Sequence, residues 1–220
     1  LYFHMEESLF AAKGKQQMQM KDGSEAFIGS GDIFAQEPDE LLHTKEGYGG
    51  TQSQWAALTT RYGYFFVNQK SRKVFLMSQK LEEISTLGMK IWFRDNMKYT
   101  LEDSGLTLEC IIDNPTVGLG FHSTWDPKHK RIILTKRDLI PTTTFTNSYN
   151  ASTPTVRFNT SECKYQFNKG TTSSPIWTNI ECDNSTYFTN GGWTISFYPE
   201  LKIWVSFHDY LPYKYFSTLT

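Results

Sequence analysis

Three short loops of one pattern constrain this chain more than anything else in it. Gln69-Lys-Ser-Arg72, Pro127-Lys-His-Lys130 and Pro199-Glu-Leu-Lys202 are each four residues long, and each ends in a basic residue. Each is flanked by β-prone runs. Tyr62–Asn68 precedes the first loop and Lys73–Ser78 follows it; the second lies between Val117–Asp126 and Arg131–Thr135, the third between Trp193–Tyr198 and Ile203–Phe207. Two of the loops open with proline, whose fixed φ suits the second position of a type I turn. A shared loop length fixes the same hairpin register three times. The reading is therefore a mainly β chain with internal repetition.

Side-chain alternation supports the strands. Val117, Leu119, Phe121, Ser123 and Trp125 fall on one face, and Gly118, Gly120, His122 and Thr124 on the other, because successive strand side chains point to opposite faces. Composition agrees: 16 Phe, 12 Tyr and 6 Trp in 220 residues suit a half-buried pleated surface. Three hairpins do not close a ring. The expected fold class is mainly β, a propeller-like or sandwich arrangement of antiparallel hairpins with one or two short helices. One helix is predicted over 85–97, with Ser85 as N-cap and Leu87, Ile91, Trp92, Phe93 and Met97 forming its apolar stripe.

The remaining chain divides by character. Residues 1–4 read as the remnant of a protease-cleavable tag, ahead of a cloning-site His-Met, and are set aside; the chain is then expected to be a piece of something longer. Residues 5–25 form an extended or loosely helical lead-in, and 26–140 carry the first two hairpins, with a short strand pair at Ala26–Phe34 and a glycine turn at Gly47–Thr51. Residues 141–192 are a Thr/Ser/Asn-rich inserted segment with strands at Thr155–Phe158 and Lys164–Phe167, and 193–220 hold the returning hairpin.

Several functions lack the residues they need. With 22 basic and 23 acidic residues there is no long-range field to gather phosphates, so no nucleic acid partner is expected. No apolar run approaches the roughly 18–20 residues that span a bilayer, so no membrane span is expected. Cys110, Cys163 and Cys182 are too scattered for a disulfide framework or a zinc site. Cys163 and Cys182 are spaced to pair across a hairpin, but free buried thiols are the expected state. There is no Gly-x-Ser-x-Gly, P-loop or dinucleotide fingerprint. Asp126 and Asp138 read as turn residues, and Lys128–Arg131 with Lys136 and Arg137 as a solvated turn and strand edge. His122 and His208 each follow a phenylalanine on a strand, opposite the apolar stripe; they read as histidines on the wetter face of a sheet rather than as ligands or acid–base groups. The chain is expected to be non-catalytic and to hold no metal or cofactor. The tyrosines Tyr149, Tyr187, Tyr210, Tyr213 and Tyr215 are the candidate contacts to a partner or a glycan, since aromatic rings anchor interfaces and stack on sugars.

A resemblance is carried by Gly47-Tyr-Gly-Gly-Thr51, Tyr62-Gly-Tyr-Phe-Phe-Val67, Leu81-Glu-Glu-Ile-Ser85 and Gly88-Met-Lys-Ile-Trp-Phe93. Asp126-Pro-Lys-His-Lys-Arg-Ile-Ile-Leu-Thr135, Trp193–Phe197 and Trp204–His208 extend it. Over residues 26–140 and 193–216 the chain resembles the tail (muzzle-type) virion structural proteins of crAss-like bacteriophages. That resemblance implies a virion tail component made in the host cytoplasm, acting through contacts with other tail subunits, with no catalytic residues to carry over. The alternative is a receptor-binding or glycan-degrading tail module whose partner is a host-surface glycan.

Overall fold

The computed structural model describes residues 1–12, 16–19, 25–28, 37–41, 49–100, 115, 119–142, 156–159, 161–162, 164–171, 173–179 and 188–215. The chain is mainly β, in antiparallel sheets, with one short α-helix. Contacts divide it into two units, residues 1–52 with 68–71, and residues 53–67 with 72–220. The boundary thus falls near residue 52 and not at residue 25, where composition changes.

In the first unit, β1 (Tyr2–His4), β2 (Leu9–Ala11) and β5 (Asp39–Glu40) form a sheet in the order β1-β2-β5, and β3 (Gln16–Gln19) pairs with β4 (Glu25–Ile28). Two expectations change here. Residues 2–4, set aside from fold reasoning, make strand β1 with Phe3 opposite Phe10. Residues 25–28 pair backward with 16–19 rather than within 26–34, whose remainder lies outside the described residues. Asn68 Nδ2 donates to the Gly50 carbonyl, and Gln52 Oε1 accepts from the amides of Gln69 and Lys70.

The second unit is a sandwich-like pair of four-stranded sheets. One is a meander of β6 (Leu58–Thr60), β7 (Gly63–Asn68), β8 (Lys73–Met77) and β9 (Leu81–Glu83). Gly63 is needed at its first turn: φ is +133°, and a Cβ there would stand 2.3 Å from the Met77 carbonyl oxygen. The other sheet joins β10 (Gly120–Asp126), β11 (Arg131–Arg137), β17 (Trp193–Tyr198) and β18 (Ile203–His208) in that order. Between β11 and β17 the chain makes β12 (Leu139–Pro141), β13 (Val156–Asn159), β14 (Lys164–Asn168), β15 (Trp177–Asn179) and β16 (Phe188–Asn190). These form a three-stranded sheet, β13-β14-β15, and the pair β12-β16.

All three hairpins form where the loops place them. Asp126 pairs with Arg131, and Tyr198 with Ile203, leaving four-residue connections. The closing residue of every loop is left-handed: Arg72 at φ 57°, Lys130 at 51° and Lys202 at 55°. Asp126 behaves as the turn residue expected, since its Oδ1 accepts from the amides of Lys128 and His129.

The core lies between the two sheets. Phe65, Val67, Val74 and Leu76 from the meander join Phe121, Ile132, Leu134, Ile195 and Phe197 from the other sheet in one buried cluster. Removing each such side chain from water contributes roughly 1.5–3 kcal/mol. The helix differs from expectation. Ile84–Thr86 is a single 3-10 turn, and α1 runs only over Lys90–Asn96. Gly88, at φ 77°, separates them. Ser85 is not an N-cap; its hydroxyl is buried and accepts from the Val74 amide. The apolar stripe is nonetheless used, except for Ile91, which is 67% exposed. Phe93 is fully buried, and Trp92 packs edge-on against Trp193 and Phe207 at 4.7 and 5.0 Å.

Candidate functional site

Cross-strand register places His122, Thr135, Thr194 and His208 in one row on the face of the β10-β11-β17-β18 sheet that points away from Phe121 and Ile195. Four consecutive strands each contribute one polar side chain, which the alternation of hairpins two and three dictates. The chain then turns back. Residues 209–215, without regular secondary structure, cross this face and bring three of the five singled-out tyrosines with them.

Each tyrosine has a partner on the sheet. The Tyr215 ring lies 4.7 Å from His122, and its hydroxyl is 2.6 Å from Thr135 Oγ1. The Tyr210 ring stacks on His208 at 4.9 Å, and its carbonyl accepts from Thr194 Oγ1 at 2.7 Å. The Arg137 guanidinium sits 4.0 Å from the Tyr213 ring centre and donates to the Leu211 carbonyl. Thr135 and Thr194 hydroxyls are 2.8 Å apart. Thr194 spends its proton on a carbonyl, which can only accept, so Thr135 must donate to Thr194 and Tyr215 to Thr135. The result is a directed chain, Tyr215 to Thr135 to Thr194 to the Tyr210 carbonyl, in which each bond polarises the next. Burial pushes the Tyr215 hydroxyl up to about 12, so it stays protonated and able to donate.

The tyrosines therefore close over their own sheet instead of standing around an open groove. Tyr210 and Tyr213 keep an exposed side, at 41% and 53%. Tyr149 and Tyr187 lie outside the described residues, as do all three cysteines.

The histidines correct the expectation of a wetter face. His122 is only 4% exposed, because Tyr215 and the segment carrying it cover the ring. Among the described residues neither ring nitrogen meets full hydrogen-bond geometry, although the Pro212 backbone lies near. Burial pulls its pKa from 6.5 to about 4; the Pro212 backbone works against that shift and nearby Arg137 adds to it. His208 is less enclosed. Burial and then Arg131 lower its pKa, while Asp209 and Asp126 oppose the change.

Two charged residues also depart from the sequence reading. Lys136 and Asp138 are not solvated edge or turn residues; they form a buried ion pair at 2.7 Å. Lys136 Nζ also donates to the carbonyls of Asn96 and Lys98, neutralising the carbonyl end of α1. Asp138 accepts from the Thr100 amide and hydroxyl and from the Leu139 amide. Arg137 was read only as a solvated edge residue, and Thr135 and Thr194, which hold the crossing segment with it, were not singled out by sequence. Their only signal was a hydroxyl at the matching position of two strands.

The second feature of this sheet is its outer edge. No described strand pairs with the far side of β18. Ile203, Val205 and Phe207 are 45–56% exposed there, and Leu201 lies just before them. A bulge at Ser196/Phe197 interrupts the pairing of β18 with β17.

Among the described residues no group of three or more His, Cys, Asp or Glu is placed to hold a metal ion. Among them, too, no helix is long and apolar enough to cross a membrane. No family model, curated protein or solved structure matches the chain.

Proposed function

We propose that the chain is a structural module of a bacteriophage virion, a tail component that works through contacts with neighbouring subunits. The observation that carries this reading is the edge strand β18, whose outer side pairs with no described strand and whose Ile203, Val205 and Phe207 stay about half exposed, Phe207 resting one side of its ring on Trp92. A sheet edge with unpaired backbone and outward apolar side chains gains free energy from a covering protein surface. The likeness of the hairpin sequences to crAss-like phage tail proteins supports the same reading.

Location is the test. Purified particles of the phage that encodes this chain, probed by mass spectrometry and by gold-labelled antibody, carry it at the tail. Its absence from the particles overturns the proposal. The alternative, a glycan-binding tail module, rests on the exposed sides of Tyr210 and Tyr213. Binding of the isolated chain on a glycan array, abolished by Tyr213→Ala, would favour it instead.

A further inference from the structure

We propose that Asp209–Tyr215 is a proton-released strap, opening from the sheet through protonation of His122 while the sheet itself stays folded. The geometry supplies the device. His122 is enclosed on one side by the sheet that carries it and on the other by Tyr215, and neither nitrogen meets full hydrogen-bond geometry, the Pro212 backbone being only near enough to favour a proton weakly. An imidazolium has two N–H donors and a full charge to solvate. The sheet cannot move aside without breaking its ladders, whereas the strap contributes no strand or helix of its own.

Among the described residues, the groups facing His122 leave the proton no anion to pair with. From β11 comes Arg137, a second cation; from the strap come the neutral Tyr215 hydroxyl and the Pro212 backbone. The Tyr215 ring face and the Pro212 backbone give an imidazolium partial compensation, which Arg137 opposes. His208, at the other end of the row, is the contrast. Asp209 and Asp126 favour its charged form while Arg131 opposes it, and its stacking partner Tyr210 accepts a cation as well as a neutral ring. Protonation of His208 therefore does not drive release.

The sign follows from the closed state holding the lower pKa. With the strap open, His122 titrates near its ordinary 6.5; closed, it titrates near 4. The open state binds more protons in between, so closure is fully favoured above about pH 6.5 and is lost as pH falls toward 4, by up to about tenfold per pH unit.

Hydrogen exchange of the backbone amides, corrected for intrinsic rates, reads this directly. Amides of 209–215 lose protection by roughly fortyfold between pH 6 and pH 4, while those of β11 and β17 do not follow. In His122→Phe, which fills the site without titrating, strap protection stays flat over the same range. Should that variant fail to fold, His122→Gln carries the same expectation. The proposal is overturned if wild-type strap protection is unchanged at pH 4, if strap and sheet amides open together, or if the folded variant responds as wild type does.

Discussion

The two edges of the β10-β11-β17-β18 sheet face the same physical problem and meet it differently. At β10 the edge is closed by side chains. Ser53 Oγ donates to the Phe121 carbonyl at 2.9 Å and accepts from the Phe121 amide at 3.2 Å, standing in for a strand neighbour. Ser123 Oγ then reaches the Ala56 carbonyl, tying the strand to the 3-10 turn at Gln54–Ala56. At β18, no described strand pairs with the outer side, and the exposed side chains are apolar rather than charged. The bulge there deters indiscriminate pairing without covering the apolar row. One edge is finished by the chain's own side chains, whereas no described strand finishes the other.

The largest expected effect lies at neither edge but at the buried ion pair of Lys136 and Asp138. Asp138→Ala leaves the Lys136 ammonium buried without its counter-charge and strips an acceptor from Thr100 and Leu139; the expected loss is about 3–5 kcal/mol, read from the urea midpoint. Ser53→Ala comes next. It leaves the Phe121 amide and carbonyl in a buried edge without their hydroxyl partner, at a cost of about 1–3 kcal/mol in the same measurement. The smallest effect belongs to the open side. Val205→Lys changes the stability of the isolated chain by no more than about 0.5 kcal/mol, because the position is already in water. Under the proposed tail role it should nevertheless weaken association with a neighbouring subunit, since it puts a charge on the exposed apolar edge. A loss of several kcal/mol in the isolated chain would show instead that β18 is packed internally.

How much of this was legible beforehand depended on whether local chemistry decides the element. The hairpins did, because a four-residue loop and the alternation on either side are contained in about sixteen residues. Predicted and observed strands around Asp126–Arg131 and Tyr198–Ile203 agree to within a few residues. The helix was half legible: Phe93 and Met97 are buried as the stripe required, but Ile91 is 67% exposed, Gly88 divides the segment and Ser85 bonds the β8 backbone. The site was least legible. His122 was on the sheet face expected, yet nothing local announces that a segment far along the chain will bury it and bond Thr135 beside it. Lys136 and Asp138 misled for the same reason, since their ion pair is completed by carbonyls at the end of α1 and by Thr100. Charges near a hairpin normally stay in water, and only a three-dimensional convergence of partners lets these two leave it.

The left-handed loop closers have a further consequence. Glycine would occupy those positions without the penalty of about 1 kcal/mol that a side chain incurs there. Arg72, Lys130 and Lys202 instead keep long side chains, and each side chain reaches another part of the unit. Arg72 donates to the Arg94 carbonyl, Lys130 lies 3.7 Å from Glu200, and Lys202 pairs with Glu82 at 2.7 Å. The residue that sets the register of a hairpin also helps to set where a neighbouring element stops. Local shape and long-range alignment are thus written at one position, and a substitution there edits both messages together.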